Sequence, residues 1–419
     1  MRPKNQKSFH LLYFVLSPFF TLIYYLNNYK KRKAKNVMWL FTVFYAATFA
    51  VGRENQGSDI NRYIEEIFYL NNYRLNQNGI LEYYYSSGEF DVLRTILAFI
   101  VSYFTSNGYF LIIVFGIIFG YFYSRNIWYV LERLEGRIKS FTRILIFSLF
   151  LIVPIWFMNG FRFWTAMHVF LFGLLPYFFE GKRKSLIWCF LTPFVFHFSF
   201  LIALVPLSVY LLLGDRIKYY FITFIITIFV SNININQFNK LLSNYAPKIL
   251  IERSDSYTDE KKVEEFRNSE NESSKVWYAV YYGKSLKWVL FFLLIYYYLT
   301  YKRELLKAHN KKYLKLLAFI FLFSTVANLM STIPSGGRFL SLANLLAIVF
   351  IILIFQNYST TKNEKMIAFL ATPFLIFFIV VAIRLSWYSL SMTAIIGNPI
   401  IAIITFGENI SLNDIIKGI

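Results

Sequence analysis

Apolar runs recur along nearly the whole chain, separated by short polar and basic stretches. The first, about His10 to Leu26, is broken by Pro18, and the next, about Val37 to Val51, follows Lys30-Lys31-Arg32-Lys33 and Lys35. Further runs cover Tyr109 to Tyr129, Ile144 to Phe157, Phe161 to Phe179, Tyr219 to Val230, Trp288 to Thr300, Leu316 to Thr332, Arg338 to Phe355 and Met366 to Leu385. A membrane-crossing helix needs about 20 mostly apolar residues, so these runs are of spanning or near-spanning size. The pattern predicts an all-α polytopic integral membrane protein with roughly 10–12 transmembrane helices. A transmembrane barrel would show short alternating segments instead.

Three runs depart from simple crossings. Leu93 to Phe104 is too short to span comfortably and reads as a re-entrant or interfacial helix, which is tolerated where protein or a water-filled cavity covers it. Ser185 to Leu213 is flanked by Lys184 on one side and by Arg216 and Lys218 on the other, so both ends lie on one face of the membrane. It must then be two short helices, with Phe196-His197-Phe198-Ser199 at the turn. Ser391 to Phe406, interrupted at Gly397-Asn398-Pro399, is either a last span or a second re-entrant helix.

Composition sharpens this picture. The 419 residues are 57% hydrophobic and 16% charged, against about 25% charged in a soluble domain. Lys and Arg outnumber Asp and Glu, for a net charge of +20. In a soluble chain that excess would suggest nucleic acid. Here the basic residues lie in short loops between apolar runs, the positive-inside pattern, and no nucleic-acid role is expected. The one cysteine, Cys189, excludes an intrachain disulfide and a cysteine-based metal cluster. No cleavable signal peptide is expected, because the first apolar stretch has no small-x-small cleavage site.

The basic loops mark the inner face, which leaves two external loops, 52–91 and 231–284, on a single membrane domain covering 1–419. Acids in the first loop (among them Asp59, Glu65, Glu66, Glu82, Glu89 and Asp91) outnumber its bases (Arg53, Arg62, Arg74). The core of the second, Glu252 to Lys275, is dense in both signs of charge. It reads as a helical hairpin lid or as a segment too polar to hold a core.

By this topology Arg53, Asp59, Arg162, His197 and Arg338 all fall near the outer face. Charged groups beside or within a bilayer are costly unless solvated, paired or used. Three arginines on one face suggest an anionic ligand, because guanidinium binds phosphate oxygens in a bidentate fork. Asp59 or His197 could supply a base. A lipid-linked diphosphate substrate meets both features. Each residue also has a plain structural reading: Arg53 as a snorkelling anchor, Asp59 as a helix cap, His197 as a hydrogen-bonded cap, and Arg338 as a helix start after Gly336-Gly337. His168 reads as a packing histidine and Arg384 as an interfacial anchor. No phosphate loop, Gly-x-Ser-x-Gly elbow or His-Glu-x-x-His zinc site occurs.

In chain order, Arg53 with Gly57-Ser58-Asp59 and Tyr63, then Glu89-Phe90, then Arg162 with Ala166, then His197-Phe198-Ser199 before a Leu-rich helix, form an ordered set, with Arg338 a weaker member. This set resembles the EpsG/Wzy-like family of bacterial polysaccharide polymerases. The long charged stretch Glu252 to Lys275 departs from that pattern.

The resemblance implies a GT-C-like membrane fold and a metal-independent glycosyltransferase that needs no cofactor. Its place would be the bacterial cytoplasmic (inner) membrane, with the active site facing the periplasm or exterior. It would join oligosaccharide repeat units carried on undecaprenyl diphosphate. Its partners would be that lipid-linked oligosaccharide and membrane lipid, and it admits a chain-length regulator protein. In that frame Arg53, Arg162 and Arg338 hold the diphosphate, Asp59 or His197 accepts the hydroxyl proton, and Tyr63, Ser199 and Glu89 support the substrate. The alternatives are an O-antigen ligase or a flippase or transporter for the lipid-linked sugar. A ligase usually carries its histidine in a large external loop, and 231–284 has none. A transporter would show charges along a central path and repeat symmetry, whereas here charge gathers at the outer rim.

Overall fold

In the computed structural model of the chain, the described residues are 12–51, 59–73, 92–230, 244, 276–305 (301–305 by backbone only), 311–358 and 360–418. Of the predicted features, Arg53, Glu89 and the charged stretch Glu252 to Lys275 lie outside the described residues.

The helices in chain order are α1 (Pro18–Asn27), α2 (Ala34–Ala47), α3 (Asp59–Tyr73), α4 (Val92–Phe104), α5 (Tyr109–Leu131), α6 (Ser140–Ile152), α7 (Phe161–Glu180), α8 (Ile187–Val195), α9 (Leu201–Leu213) and α10 (Ile217–Ile228). They continue with α11 (Trp277–Leu305), α12 (Lys311–Met330), α13 (Arg338–Asn357), α14 (Lys362–Ser386), α15 (Met392–Ile396), α16 (Pro399–Ile404) and α17 (Leu412–Lys417). Among the described residues the only extended pairing is an isolated bridge between Ser391 and Ser411.

Six helical stretches among the described residues are long and apolar enough to cross a membrane: Tyr109–Leu131, Ser140–Glu180, Trp277–Thr300, Lys311–Met330, Arg338–Asn357 and Lys362–Ser386. The chain is an all-α polytopic membrane protein. Three shorter apolar helices accompany these: Val92–Phe104, Phe198–Leu213 and Ile217–Ile228. Ser140–Glu180 is not one rod. Pro154 is extended, at ψ 170°, and a 3₁₀ turn over Ile155–Gly160 leads into α7. The other interruptions follow proline, glycine and polar residues. Pro18 takes the first turn of α1. Asn398 caps α16 through its side chain, with Pro399 next. Helix α11 begins at Trp277, seven residues before the end expected for the second external loop.

The chain divides into two compact units: Met1–Leu134, Val153–Phe200 and Ala382–Ile419 in one, Glu135–Ile152 and Leu201–Val381 in the other.

In the first unit α2 and α5 run antiparallel in close contact. Gly116 faces the Ala46 side chain and Gly120 faces Thr42, so that neither position has room for a Cβ. Small residues four apart let two membrane helices approach closely. The Trp39 indole N–H donates to the Ile117 carbonyl at 2.8 Å. At the end of this pair Lys35 meets Glu132 at 3.1 Å. Helix α7 lies parallel to α5: Phe161 stacks on Phe115 at 3.9 Å, and near the far end the Tyr129 hydroxyl donates to Glu180 at 2.7 Å. Lys182 also reaches Glu180, at 2.7 Å. The basic loops of this unit therefore share one end, and the starts of α5 and α7 share the other.

Within the same unit the Ser391 hydroxyl donates to the Thr48 carbonyl at 2.7 Å, and Tyr45 bonds Ser389 at 2.9 Å. These contacts tie the segment carrying α15 and α16 to the end of α2.

In the second unit α13 is buried along nearly its whole length, packing on α6, α11 and α12. Its last turn is closed by polar groups. The Lys139 ammonium donates to the carbonyls of Phe355 at 2.5 Å and Tyr358 at 2.6 Å, and the Gln356 amide donates to the Glu135 carbonyl at 2.6 Å. The two Lys139 bonds satisfy carbonyls at the end of α13 that have no partner within the helix. Burial pushes the Lys139 ammonium below its ordinary pKa, a shift opposed by the nearby Glu364 carboxylate.

Candidate functional site

Helices α3 and α4 are 15 and 13 residues long, or about 20 Å each at 1.5 Å per residue, too short to span a bilayer. They bury their apolar faces on one another and on the start of α5. Tyr63, Ile67 and Leu70 of α3 join Ala98 and Val101 of α4, Leu111 and Phe115 of α5, and Phe161. The shared cluster holds these two short helices against the start of α5.

Asp59 is the first residue of α3, and Arg62 one turn later pairs with its carboxylate. Arg62 is largely exposed, at 67%. Tyr63 points the other way into the cluster, edge-on to Phe115 with ring centroids 5.7 Å apart. The Arg94 guanidinium of α4 lies 5.1 Å from the centroid of the Tyr63 ring and forms an ion pair with Glu66 of α3. Both partners are nearly sealed, at 3% and 9% exposure.

Arg162 is half-buried in the first turn of α7. Its chain neighbours fix it from both sides. Phe161 lies flat on Phe115, inside the Tyr63 cluster. Phe163 meets the His197 ring edge-on at 5.4 Å. The start of α7 thus bridges the α3–α4 platform and the turn after α8.

That turn holds His197 and Ser199. Helix α8 ends at Val195, the His197 amide donates to the Thr192 carbonyl at 3.1 Å, and a 3₁₀ turn follows over Phe198–Phe200. The His197 ring is buried, stacks on Phe198 at 5.4 Å, and accepts at Nδ1 from the Ser199 amide at 3.2 Å. The Ser199 hydroxyl lies 2.8 Å from the same nitrogen.

Arg338 belongs to the second unit. It is the exposed first residue of α13, reached through a tight turn in which Ser335 has φ 60°. A Cβ on Gly336 would run into the Met330 carbonyl, so only glycine fits there.

The first unit therefore gathers Asp59, Tyr63, Arg162, His197 and Ser199 around the starts of α3 and α7. Sequence reading left Arg62, Glu66 and Arg94 without a role. The signal for Glu66 was its place on the apolar stripe of α3, three residues after Tyr63 and four before Leu70. Asp59 and Arg62 stand at helical i,i+3 spacing. Elsewhere in this unit His168 packs edge-on to Phe119 and Tyr123, and Arg384 lies over the Trp387 ring and donates to Asn413 at 3.1 Å. Among the described residues no three His, Cys, Asp or Glu side chains gather as a metal site would require.

A family model named the EpsG family matches residues 36–393, most of the chain. The chain belongs to the EpsG family. Membership carries a polysaccharide-polymerase-like role of the glycosyltransferase type, in a multi-pass membrane protein. The matched span includes all of Asp59, Tyr63, Arg162, His197, Ser199 and Arg338. No curated protein and no solved structure matches the chain.

Proposed function

We propose that this EpsG-family chain is a polysaccharide polymerase that joins oligosaccharide repeat units carried on undecaprenyl diphosphate at the outer face of the bacterial cytoplasmic membrane. The observation that carries this reading is the setting of Arg162. It is a half-buried cation at the start of an apolar helix, between Phe161, which stacks on Phe115 in the Tyr63 cluster, and Phe163, which meets the buried His197 ring edge-on. Such a cation suits the diphosphate of a lipid-linked donor, and the membrane setting suits its prenyl tail.

In this reading the acceptor hydroxyl oxygen attacks the anomeric carbon of the donor sugar. The bond from that carbon to the diphosphate oxygen breaks, and the electron pair leaves with the polyprenyl diphosphate. Arg162 stabilises the charge that develops there, with Arg53 and Arg338 as further phosphate cations. The hydroxyl proton passes to Asp59 or His197. Tyr63, Ser199 and Glu89 support the substrate. The reaction needs no metal in this scheme.

Gel analysis of surface glycan from a gene-deletion strain tests the proposal. A ladder collapsing to a single repeat unit, restored by the wild-type gene and not by Arg162→Ala, is the expected result. Long polymer accumulating on the lipid carrier would instead mark a ligase.

A further inference from the structure

We infer that His197 serves this site as a neutral hydrogen-bond donor through Nε2–H, not as its proton acceptor, and that Ser199 is the positioning residue that fixes this tautomer. The functional half of this inference rests on the polymerase reading above. The structural half does not.

The decisive contact is the Ser199 amide on His197 Nδ1 at 3.2 Å. A backbone N–H only donates, so Nδ1 must accept. A neutral imidazole has one donor and one acceptor nitrogen, which places the proton on Nε2. The Ser199 hydroxyl, 2.8 Å from Nδ1, can rotate to donate to the same lone pair. Turning the ring over would present Cδ2 to both donors and lose both bonds.

The ring also has little freedom to leave this arrangement. Phe198 stacks on one face with an interplanar angle of 17°, and Phe163 closes an edge at 85°. The backbone is held on both sides, His197 donating to Thr192 and the His197 carbonyl accepting from Phe200 at 3.1 Å. A side chain 8% exposed, with its tautomer set by the chain two residues on, is preorganised to present one N–H in one direction.

A general base at Nε2 would need a lone pair where this arrangement puts a proton. A donor there suits the other half of the reaction. The oxygen that leaves with the diphosphate gains negative charge as its bond to the anomeric carbon breaks, and the Nε2–H can bond to it without transferring its proton. A neutral imidazole is well suited to this kind of electrophilic assistance. The hydroxyl proton then goes to a carboxylate, and Asp59 at the start of α3 is the one assigned that role.

The test uses the full-length chain in lipid. The sequence has four histidines, so ¹⁵N-histidine spectra of wild type and His197→Gln assign the His197 signals by difference. The expected spectrum at neutral pH is a protonated Nε2 and an unprotonated Nδ1. A protonated Nδ1 overturns the inference before any activity is measured. Activity in the deletion strain tests the role. Glutamine offers an N–H near the Nε2 position and cannot act as a base. His197→Gln is therefore expected to keep polymer yield within about tenfold of wild type, whereas His197→Ala loses about 10²-fold or more. Equal loss in the two variants, both present in the membrane at wild-type level, overturns the donor role. Failure of the wild-type gene itself to restore polymer would defeat the polymerase reading and leave the tautomer result standing.

Discussion

Arg94 of α4 and Glu66 of α3 form an ion pair that is almost entirely withdrawn from solvent, and the same guanidinium lies over the ring of Tyr63. Two short helices that cannot span a bilayer are thereby cross-linked, about two turns along α3 from Asp59. Removing one partner from a buried pair leaves the other charge uncompensated, at a cost of about 3–5 kcal/mol. Arg94→Ala is expected to lower thermal stability in detergent and abolish polymer formation together. Arg94→Met with Glu66→Leu should recover much of the stability, since apolar replacement of both partners is often neutral. Arg94→Ala melting at the wild-type temperature would contradict this account of the platform.

Arg162 has a different signature. It is half-buried at a helix start, and its removal leaves Phe161 and Phe163 in place. Arg162→Ala should reduce polymer yield by about 10²–10³ while the protein stays folded in the membrane. Arg162→Lys should fail to restore it, because an ammonium cannot reproduce a bidentate fork. Quantifying glycan per unit of membrane protein separates this from a folding defect.

The breaks in the apolar runs were legible because local chemistry makes them. Pro18, the His197 turn and Gly397-Asn398-Pro399 all interrupt helices where the sequence said they would. The short α4 was legible by length, and the His197–Ser199 bond has only two residues of separation. The Arg94–Glu66 pair was not, because it joins residues 28 apart and depends on how α3 packs on α4. Before packing is known, Glu66 is one more acid in an acidic loop. Likewise Gly116 and Gly120 acquire their meaning only when α2 lies against them.

That α2–α5 contact gives a stability prediction. Gly116→Leu places a side chain against Ala46, and Gly120→Leu places one against Thr42. Overpacking of this kind costs about 1–3 kcal/mol. Both variants should melt at lower temperature, and the double variant lower still. Gly283→Ala, where no atom lies within 4 Å of the added Cβ, should melt like wild type.

The turn before Arg338 gives another. Gly336→Ala forces a Cβ onto the Met330 carbonyl and must displace the start of α13. It should reduce polymer yield as far as Arg338→Ala does. Ser335→Gly should be tolerated, since glycine adopts the positive φ at that position without strain. Normal yield from Gly336→Ala would mean that Arg338 need not be held by this turn.

The most direct test of the central claim is reconstitution. Purified chain in liposomes is supplied with repeat units linked to undecaprenyl diphosphate, and both glycan length and free polyprenyl diphosphate are followed. The account predicts longer glycan with one lipid diphosphate released per unit added, and neither product from Arg162→Ala. Movement of the lipid-linked unit across the bilayer, with no new glycosidic bond and no released diphosphate, would contradict it.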